Sequence, residues 1–292
     1  MKKIPNISFL KTNNKIEFEI LTLKSLFARF DKLNHFLDKP HRVDFFHILF
    51  ITKGTGIHYI DSLPYKYEKG SILFISKGQI HAYDVHPGND GFLILFTEAF
   101  LSKNLIHSDI LSFYKLYNHY LHSPIIQPEE IGKNDFINII NEMYKEYYFS
   151  DDFAKEEILR LLLKLLLLKA ERIKHTLTPQ KKNSDFFLKF SVFKNRLEKH
   201  FSDTRNAKEY AGQMNISYKH LNEVCKSLTG TTAKKFIDNF IILEIKRYLA
   251  MSDISIKELT YKLGFDEPTN LVKFFKKHTR LSPFQFKQSL TK

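Results

Sequence analysis

The chain has 292 residues, 43% of them hydrophobic, and a formal net charge of +13, so it is long enough for two domains that each bury a core of their own. Its single cysteine, Cys225, excludes an internal disulfide and fits a reducing compartment. The sequence contains neither the apolar stretch of a signal peptide nor an apolar run long enough to span a membrane, and we therefore expect a cytoplasmic protein.

Short strands are the first elements predicted in chain order. In residues 44–97, apolar or alternating runs such as DFFHILFIT and SILFIS recur between glycine-containing turns. This pattern is typical of an antiparallel barrel or sandwich. The segment EKGSILFISKGQIHAY carries Gly70, Gly78 and His81 and is similar to cupin-type sensor domains. We expect residues 1–125 to form a cupin-like antiparallel β-barrel with an N-terminal arm.

A small barrel of this kind can hold a ligand in its mouth. The expected ligand contacts are His47, His58, His81 and Tyr83. Catalytic cupins, which the segment also resembles, bind a metal through two closely spaced histidines, a carboxylate and a later histidine. His81 corresponds to the later histidine, but the closely spaced pair is missing because His41, His47 and His58 are irregularly spaced. We therefore predict no metal ligand, no cofactor and no catalytic residue, with a cupin-type metalloenzyme as the alternative.

A helical segment follows the strands. Residues 133–149 have helical spacing, and a second run that starts at Asp151 has acids in its first turn and bases in its last, which suits the helix dipole. Residues 161–168 are almost all leucine, so this helix must be covered on most sides. Burial within the sensor domain and a dimer seam both remain open. We expect residues 126–175 to pack and dimerise, and the polar residues 176–186 to form a linker.

The last third of the chain contains one pattern twice. The first copy, in residues 207–237, reads AKEYAGQMNISYKHLNEVCKSLTGTTAKKFI, and the second, in residues 256–287, reads IKELTYKLGFDEPTNLVKFFKKHTRLSPFQFK. With one extra residue in the second turn, Leu221 falls on Leu271. Each copy has the apolar spacing of a helix, a break, and a second helix with one buried stripe.

Local signals predict where these helices begin and end. In the first copy Ser217 is the N-cap of the second helix, and Gly230 is its left-handed end. In the second copy Gly264 closes the first helix and Asp266 is the predicted cap of the next. Pro268 is tolerated in the first turn of that helix. Both copies are therefore predicted to be helix-turn-helix units.

The excess positive charge lies mainly in this region. Residues 187–292 carry 20 Lys and Arg against 10 Asp and Glu, which is +10 of the total of +13. Lysine and arginine neutralise DNA phosphates and supply the sequence-independent part of DNA affinity. Two helix-turn-helix units on one chain can enter two successive major-groove segments. The region is thus predicted to bind double-stranded DNA.

The segment GFDEPTNLVKFFKKHTRLSPFQFK resembles the C-terminal signature of AraC/XylS-type transcription regulators. The resemblance implies that residues 187–292 form an all-α domain, with the two units joined by a central helix at about residues 232–251. The chain would then have an α+β two-domain fold. Arg280 stands where the family usually has glycine, and because positive φ disfavours other residues we expect this helix end to be reshaped.

The resemblance also implies which side chains contact DNA, namely those that lie off the buried stripes of the second helices. Ser217, at the start of the second helix of the first unit, is expected to be one of these DNA contacts. The expected base-edge contacts are Lys219, His220, Asn222 and Glu223 in the first unit, and Thr269, Asn270 and Lys273 in the second. The expected phosphate contacts are Lys226, Lys276 and Lys277.

These features together predict a sequence-specific, DNA-binding transcription regulator. We expect a homodimer on double-stranded DNA that responds to a small-molecule effector in the barrel and has no membrane partner. By resemblance it would act as an activator that contacts RNA polymerase. Two alternatives stay open at this point: a metalloenzyme of cupin type with a DNA-binding tail, and a regulator that needs no ligand.

Overall fold

The computed structural model describes residues 5–9, 16–28, 37–61, 63–83, 86, 88–103, 116–117, 123–131, 136–149, 153–177, 184–251 and 254–289. These residues form two units, Pro5–Gln180 and Lys181–Lys292. Each unit has its own set of buried apolar side chains.

The first unit contains two five-stranded sheets among its described residues. The strands are β1 (Asn6–Ile7), β2 (Phe18–Thr22), β3 (His41–Val43), β4 (Phe46–Lys53), β5 (Gly56–Ile60), β6 (Leu63–Tyr67), β7 (Ile72–Ile75), β8 (Ile80–Ala82), β9 (Asp90–Phe96) and β10 (Ile125–Ile126). One sheet has the order β1-β3-β8-β5-β6 and the other has the order β10-β7-β4-β9-β2.

The helices of the first unit lie between and after these strands. They are α1 (Leu23–Ala28), α2 (Glu98–Ser102), α3 (Pro128–Ile131), α4 (Phe136–Phe149) and α5 (Lys155–Leu177). Among the described residues, we find no helix with the length and apolarity that crossing a membrane requires.

The central strand β4 explains the layering of this unit. Its sequence, FHILFITK, is apolar on both faces, so both faces must be covered. On one face Ile48 lies beside Phe74 and Ile94 and packs under α4 and α5. On the other face Leu49 and its neighbours pack against residues of the first sheet. The second sheet is therefore sandwiched between the first sheet and two helices.

Two details refine the predicted antiparallel β-barrel with an N-terminal arm. Within the described residues the strands form two facing sheets, and β1 pairs with β3 in parallel, with Ile7 opposite Val43. Part of the predicted arm is thus an edge strand, because the backbone of residues 42–44 offers hydrogen-bonding groups to residues 5–7. Residues 1–4 and 10–15 of the arm lie outside the described residues.

Helix α5 is apolar on two faces, as its leucine-rich sequence predicts. The buried face carries Leu159, Leu163, Leu166, Leu167 and Ala170. The exposed face carries Ile158, Leu161, Leu165 and Leu168, which are 38% to 56% exposed. The predicted helix start at residues 151–152 lies outside the described residues.

The second unit consists of helices. They are α6 (Ser184–His200), α7 (Ala207–Gln213), α8 (Tyr218–Thr229), α9 (Ala233–Met251), α10 (Ile256–Lys262), α11 (Pro268–Thr279) and α12 (Pro283–Ser289). The central helix α9 buries Phe236, Ile237, Ile241, Ile245 and Leu249 along its length. It therefore supplies the core on which the other helices pack.

The predicted linker at residues 176–186 is helical at both ends, which corrects the sequence prediction. Helix α5 continues to Leu177, and α6 already begins at Ser184. Helix α6 forms because Phe190, Phe193 and Leu197 repeat at helical spacing and are fully buried. Residues 178–183 lie outside the described residues.

Candidate functional site

The first helix-turn-helix unit consists of α7 and α8. Ser217 caps α8 by accepting a hydrogen bond from the His220 amide at 3.1 Å. The buried stripe consists of Leu221, Val224, Cys225 and Leu228. Burial raises the pKa of the Cys225 thiol to about 12, so this side chain is a packing residue that does not form a reactive thiolate.

The second unit consists of α10 and α11 and is capped differently from the sequence prediction. Helix α10 starts with a capping box between Ser255 and Glu258. Helix α11 has Pro268 in its first turn, as predicted, but its N-cap is Glu267 and the predicted Asp266 lies one residue too early. The Glu267 side chain makes no cap hydrogen bond and instead accepts one from the Thr269 hydroxyl at 3.0 Å.

The two recognition-type helices, α8 and α11, end in the same way. Gly230 has φ 70° and Arg280 has φ 64°, and their amides donate to the carbonyls of Lys226 and Lys276. The expectation that Arg280 reshapes its helix end is therefore wrong. The adjacent Thr279 explains the tolerance in part, because its hydroxyl donates to the Phe275 carbonyl and accepts a hydrogen bond from the Leu281 amide, on the other side of Arg280.

Within the helical unit, a close backbone approach joins the two helix-turn-helix units. Arg205 donates to the Leu263 carbonyl at 2.8 Å, and its guanidinium lies 3.3 Å from the centre of the Phe265 ring. Gly264 has φ 67°, and a Cβ at this position would lie 1.8 Å from the Ser202 carbonyl oxygen. The turn of the second unit therefore packs directly on the segment that precedes the first unit.

The side chains predicted to contact DNA from the first unit fall into two groups. Lys219, Glu223 and Lys226 are exposed on α8. Asn222 and His220 already make contacts within the protein. The Asn222 Oδ1 accepts from the Ala233 amide at 3.0 Å and caps α9. The His220 ring packs edge-on against Phe186.

In the second unit all the predicted side chains are exposed. They are Thr269, Asn270, Lys273, Lys276 and Lys277. Because Lys276 and Lys277 lie in the last turn of α11 and Lys273 lies one turn earlier, the exposed face of this helix is strongly basic. A helix with such a face can enter a DNA groove and contact its phosphates.

The histidines of the sheet-containing unit, Pro5–Gln180, meet between its two sheets. His47 projects from the second sheet, and its ring centre lies 4.8 Å from that of His81 on the first sheet. His58 Nε2 and His81 Nδ1 share a hydrogen bond of 3.2 Å. The Tyr83 hydroxyl lies 3.4 Å from His47 Nδ1. All four predicted pocket residues are therefore in one buried cluster.

His41 also belongs to this cluster, although it was not among the predicted ligand contacts. Its ring centre lies 4.3 Å from that of His81, because the two residues are paired across β3 and β8. The strand register, which the sequence pattern alone did not give, brings them together.

Burial keeps the clustered imidazoles neutral. Desolvation lowers the pKa of His58 to about 3, and it lowers the pKa values of His47 and His81 well below their ordinary value. The neighbouring histidines add to the effect, because positive charges would repel each other. The cluster therefore offers neutral donors and acceptors.

Three nitrogens of the cluster have no hydrogen-bond partner among the described residues. They are His47 Nε2, His58 Nδ1 and His81 Nε2. Buried polar atoms of this kind normally have a partner, such as water or a ligand. Within the same described residues, no group of three or more His, Cys, Asp or Glu has the geometry to hold a metal ion.

Two family models match the chain. One is described as an AraC-like ligand binding domain and matches residues 26–163. The other is described as a helix-turn-helix domain and matches residues 210–289. The two matches fall on the sheet-containing unit and on the helical unit, respectively.

Among curated proteins, the HTH-type transcriptional activator RhaS of Escherichia coli K12 is 24% identical over 260 residues, which are 85% of this chain and 87% of RhaS. Among solved structures, one of ToxT from Vibrio cholerae is 12% identical with a TM-score of 0.46, and the match covers 94% of this chain and 100% of that one. Another, of ToxT with a bound unsaturated fatty acid, is 14% identical with a TM-score of 0.43 and covers 84% and 87% of the two chains.

Proposed function

The chain belongs to the AraC-type transcription regulators, and on that premise we propose that a small molecule bound between its sheets controls how a homodimer engages DNA. Regulators of this type bind DNA and are not enzymes, so the metalloenzyme alternative falls away. The observation that carries the proposal is the pair of matched helix-turn-helix units, which end alike and present basic helices.

Base recognition is assigned to the exposed side chains of the two second helices, of which Glu223 also has its Oε2 3.5 Å from His220 Nδ1. Lys219 and Glu223 on α8, and Asn270 and Lys273 on α11, are exposed and carry the donors and acceptors that read major-groove edges. Asn222 is a weaker candidate because its Oδ1 already caps α9, which leaves only its amide hydrogens for a base.

Backbone contacts and second-rank base contacts complete the interface. Lys226, Lys276 and Lys277 lie toward the ends of their helices and are assigned to phosphates. His220 and Thr269 each have a neighbour within the protein, so they act together with the main base contacts, and Ser217 positions the start of α8.

The effector site is assigned to the cluster of His47, His58, His81 and Tyr83. Its three unpartnered nitrogens would form hydrogen bonds with a polar ligand, and the apolar residues around the cluster would exclude water. Ligand control requires that the effector bind one arrangement of the dimer better than another. A regulator without a ligand would show no such preference.

The dimer seam is assigned to the exposed face of α5. Ile158, Leu161, Leu165 and Leu168 follow one another at intervals of three, four and three residues, which is the spacing of a coiled-coil seam. A monomer rarely leaves such a stripe in water. Contact with RNA polymerase, a role as an activator and a cytoplasmic location complete the proposal.

Binding of the full-length chain to a pool of random duplexes tests the DNA part. We expect the selected site to be contacted in two successive major-groove segments. Replacing Lys273 by Ala should relax the preference at one position of the site and cost about 1–3 kcal/mol. Lys199→Ala, a loss of an exposed lysine on α6, is the matched control. If no duplex is preferred over the pool, the proposed function is wrong.

A further inference from the structure

We propose that a cavity beside the first helix-turn-helix unit binds one backbone phosphate of the DNA. The cavity has a volume of about 360 Å³ and is lined by Arg205, Asn206, Ala207, Lys208, Tyr218 and Lys234. These residues come from the starts of α7, α8 and α9, which are separate in sequence. The inference rests on the proposed function and adds to it a site that the exposed helix faces did not include.

The lining matches an anion in charge and in hydrogen-bonding groups. Three of its six residues, Arg205, Lys208 and Lys234, are cations, and none is a carboxylate. Tyr218 adds a phenol that is able to donate a hydrogen bond. Phosphate oxygens on DNA are most often bound by side chains of these types.

The three cations are held to different degrees. Arg205 is fixed, since it donates to the Leu263 carbonyl and lies on the Phe265 ring. Lys234 is held at 2.6 Å by Asp238. The Lys208 side chain is exposed and forms no ion pair within the part of the chain that the structure describes. Lys208 is therefore the cation most available to an incoming phosphate.

The position of the cavity favours DNA as the source of the phosphate. Tyr218 is the first residue of α8 and immediately precedes Lys219, which is assigned to a base edge. When a recognition helix lies in the major groove, the helix before it crosses the sugar–phosphate backbone. A phosphate beside the groove would thus meet the start of α8 and the start of α7 together.

The test measures duplex affinity of the full-length protein as a function of salt. We expect Lys208→Ala to weaken binding to the preferred and to random duplexes alike, by roughly fivefold at 0.15 M salt, and to lower the salt slope by about 0.9. Lys208→Arg should keep the wild-type slope. Lys199→Ala removes an exposed lysine outside the cavity and measures how much duplex affinity falls when any one positive charge is lost. Equal losses for Lys208→Ala and Lys199→Ala would overturn the inference.

A scan with single methylphosphonates, which neutralise one backbone phosphate at a time, locates the partner. At one position the neutral linkage should weaken wild-type binding about as much as Lys208→Ala does and leave the Lys208→Ala variant unaffected. Strictly additive losses at every position would contradict the proposal. A wild-type protein with no preferred duplex would instead refute the proposed function.

Discussion

Replacing Gly264 by Ala should disrupt the packing between the two helix-turn-helix units, and Gly230→Ala is its matched control. Both glycines have nearly the same backbone conformation, with φ 67° and 70°. A left-handed conformation costs a non-glycine residue about 1 kcal/mol at either position. The surroundings differ, because a Cβ at Gly230 would meet nothing within 4 Å, whereas at Gly264 it would lie 1.8 Å from the Ser202 carbonyl oxygen.

The steric clash sets the expected size of the difference. The Ser202 carbonyl would have to move by more than 1 Å to reach an ordinary contact distance, and it would displace the segment that carries Arg205. Strain of this kind typically costs about 1–3 kcal/mol. We therefore expect Gly230→Ala to destabilise the helical unit by about 1 kcal/mol, and Gly264→Ala by about 2–4 kcal/mol.

Hydrogen exchange of the full-length chain measures the difference in stability between the two variants at the helix that precedes Gly264. The amides at the end of α10, for example that of its C-cap Leu263, which donates to the Leu259 carbonyl, should exchange about ten to a hundred times faster in Gly264→Ala than in Gly230→Ala. Equal exchange in the two variants would refute the reasoning, because it would mean that the Ser202 backbone moves away from the added Cβ without a loss of stability.

Two other predictions concern the sheet-containing unit, Pro5–Gln180. Leu161→Glu combined with Leu165→Glu should weaken self-association by roughly a thousandfold. The reason is that two half-exposed leucines on each protomer would no longer be buried in the dimer interface. Sedimentation equilibrium measures this, with Lys169→Glu on the same helix as the control, and an unchanged dimer would exclude α5 as the seam. Acid should destabilise this unit, because unfolded histidines take up protons below about pH 6.5 whereas the folded cluster stays neutral down to about pH 3 at His58. The loss should be about 1.4 kcal/mol per pH unit for each buried histidine, and less steep in His58→Gln; thermal melts between pH 7 and 5 that show no change would contradict the buried neutral cluster.

Local signals in the sequence were sufficient to predict much of the helical unit. Ser217 and Gly230 begin and end α8 as predicted, since capping depends on residues only a few positions apart. The predicted cap Asp266 was wrong by one residue, which is a typical uncertainty at helix ends. The start of α6 was missed because the polar run before it read as a linker.

Features that depend on distant residues could not be predicted in the same way. The contact of Arg205 with the Leu263 carbonyl joins residues 58 positions apart. The pairing of His41 with His81 depends on strand register, which the spacing of apolar residues did not specify. The role of Asn222 as a cap for α9 was hidden because its position on the helix surface looked free. The cavity beside α8 is likewise formed by three helix starts that meet only in the fold.

The backbone contact between Gly264 and Ser202 also has a consequence for the promoters that such a protein controls. Because the Gly264 turn packs on Ser202 and Arg205 donates to the Leu263 carbonyl, we expect the protein to set the distance between α8 and α11. Inserting half a helical turn, about five base pairs, between the two halves of an operator would turn one half to the opposite side of the duplex. Operators of this regulator are therefore expected to tolerate base changes far better than insertions or deletions between their halves.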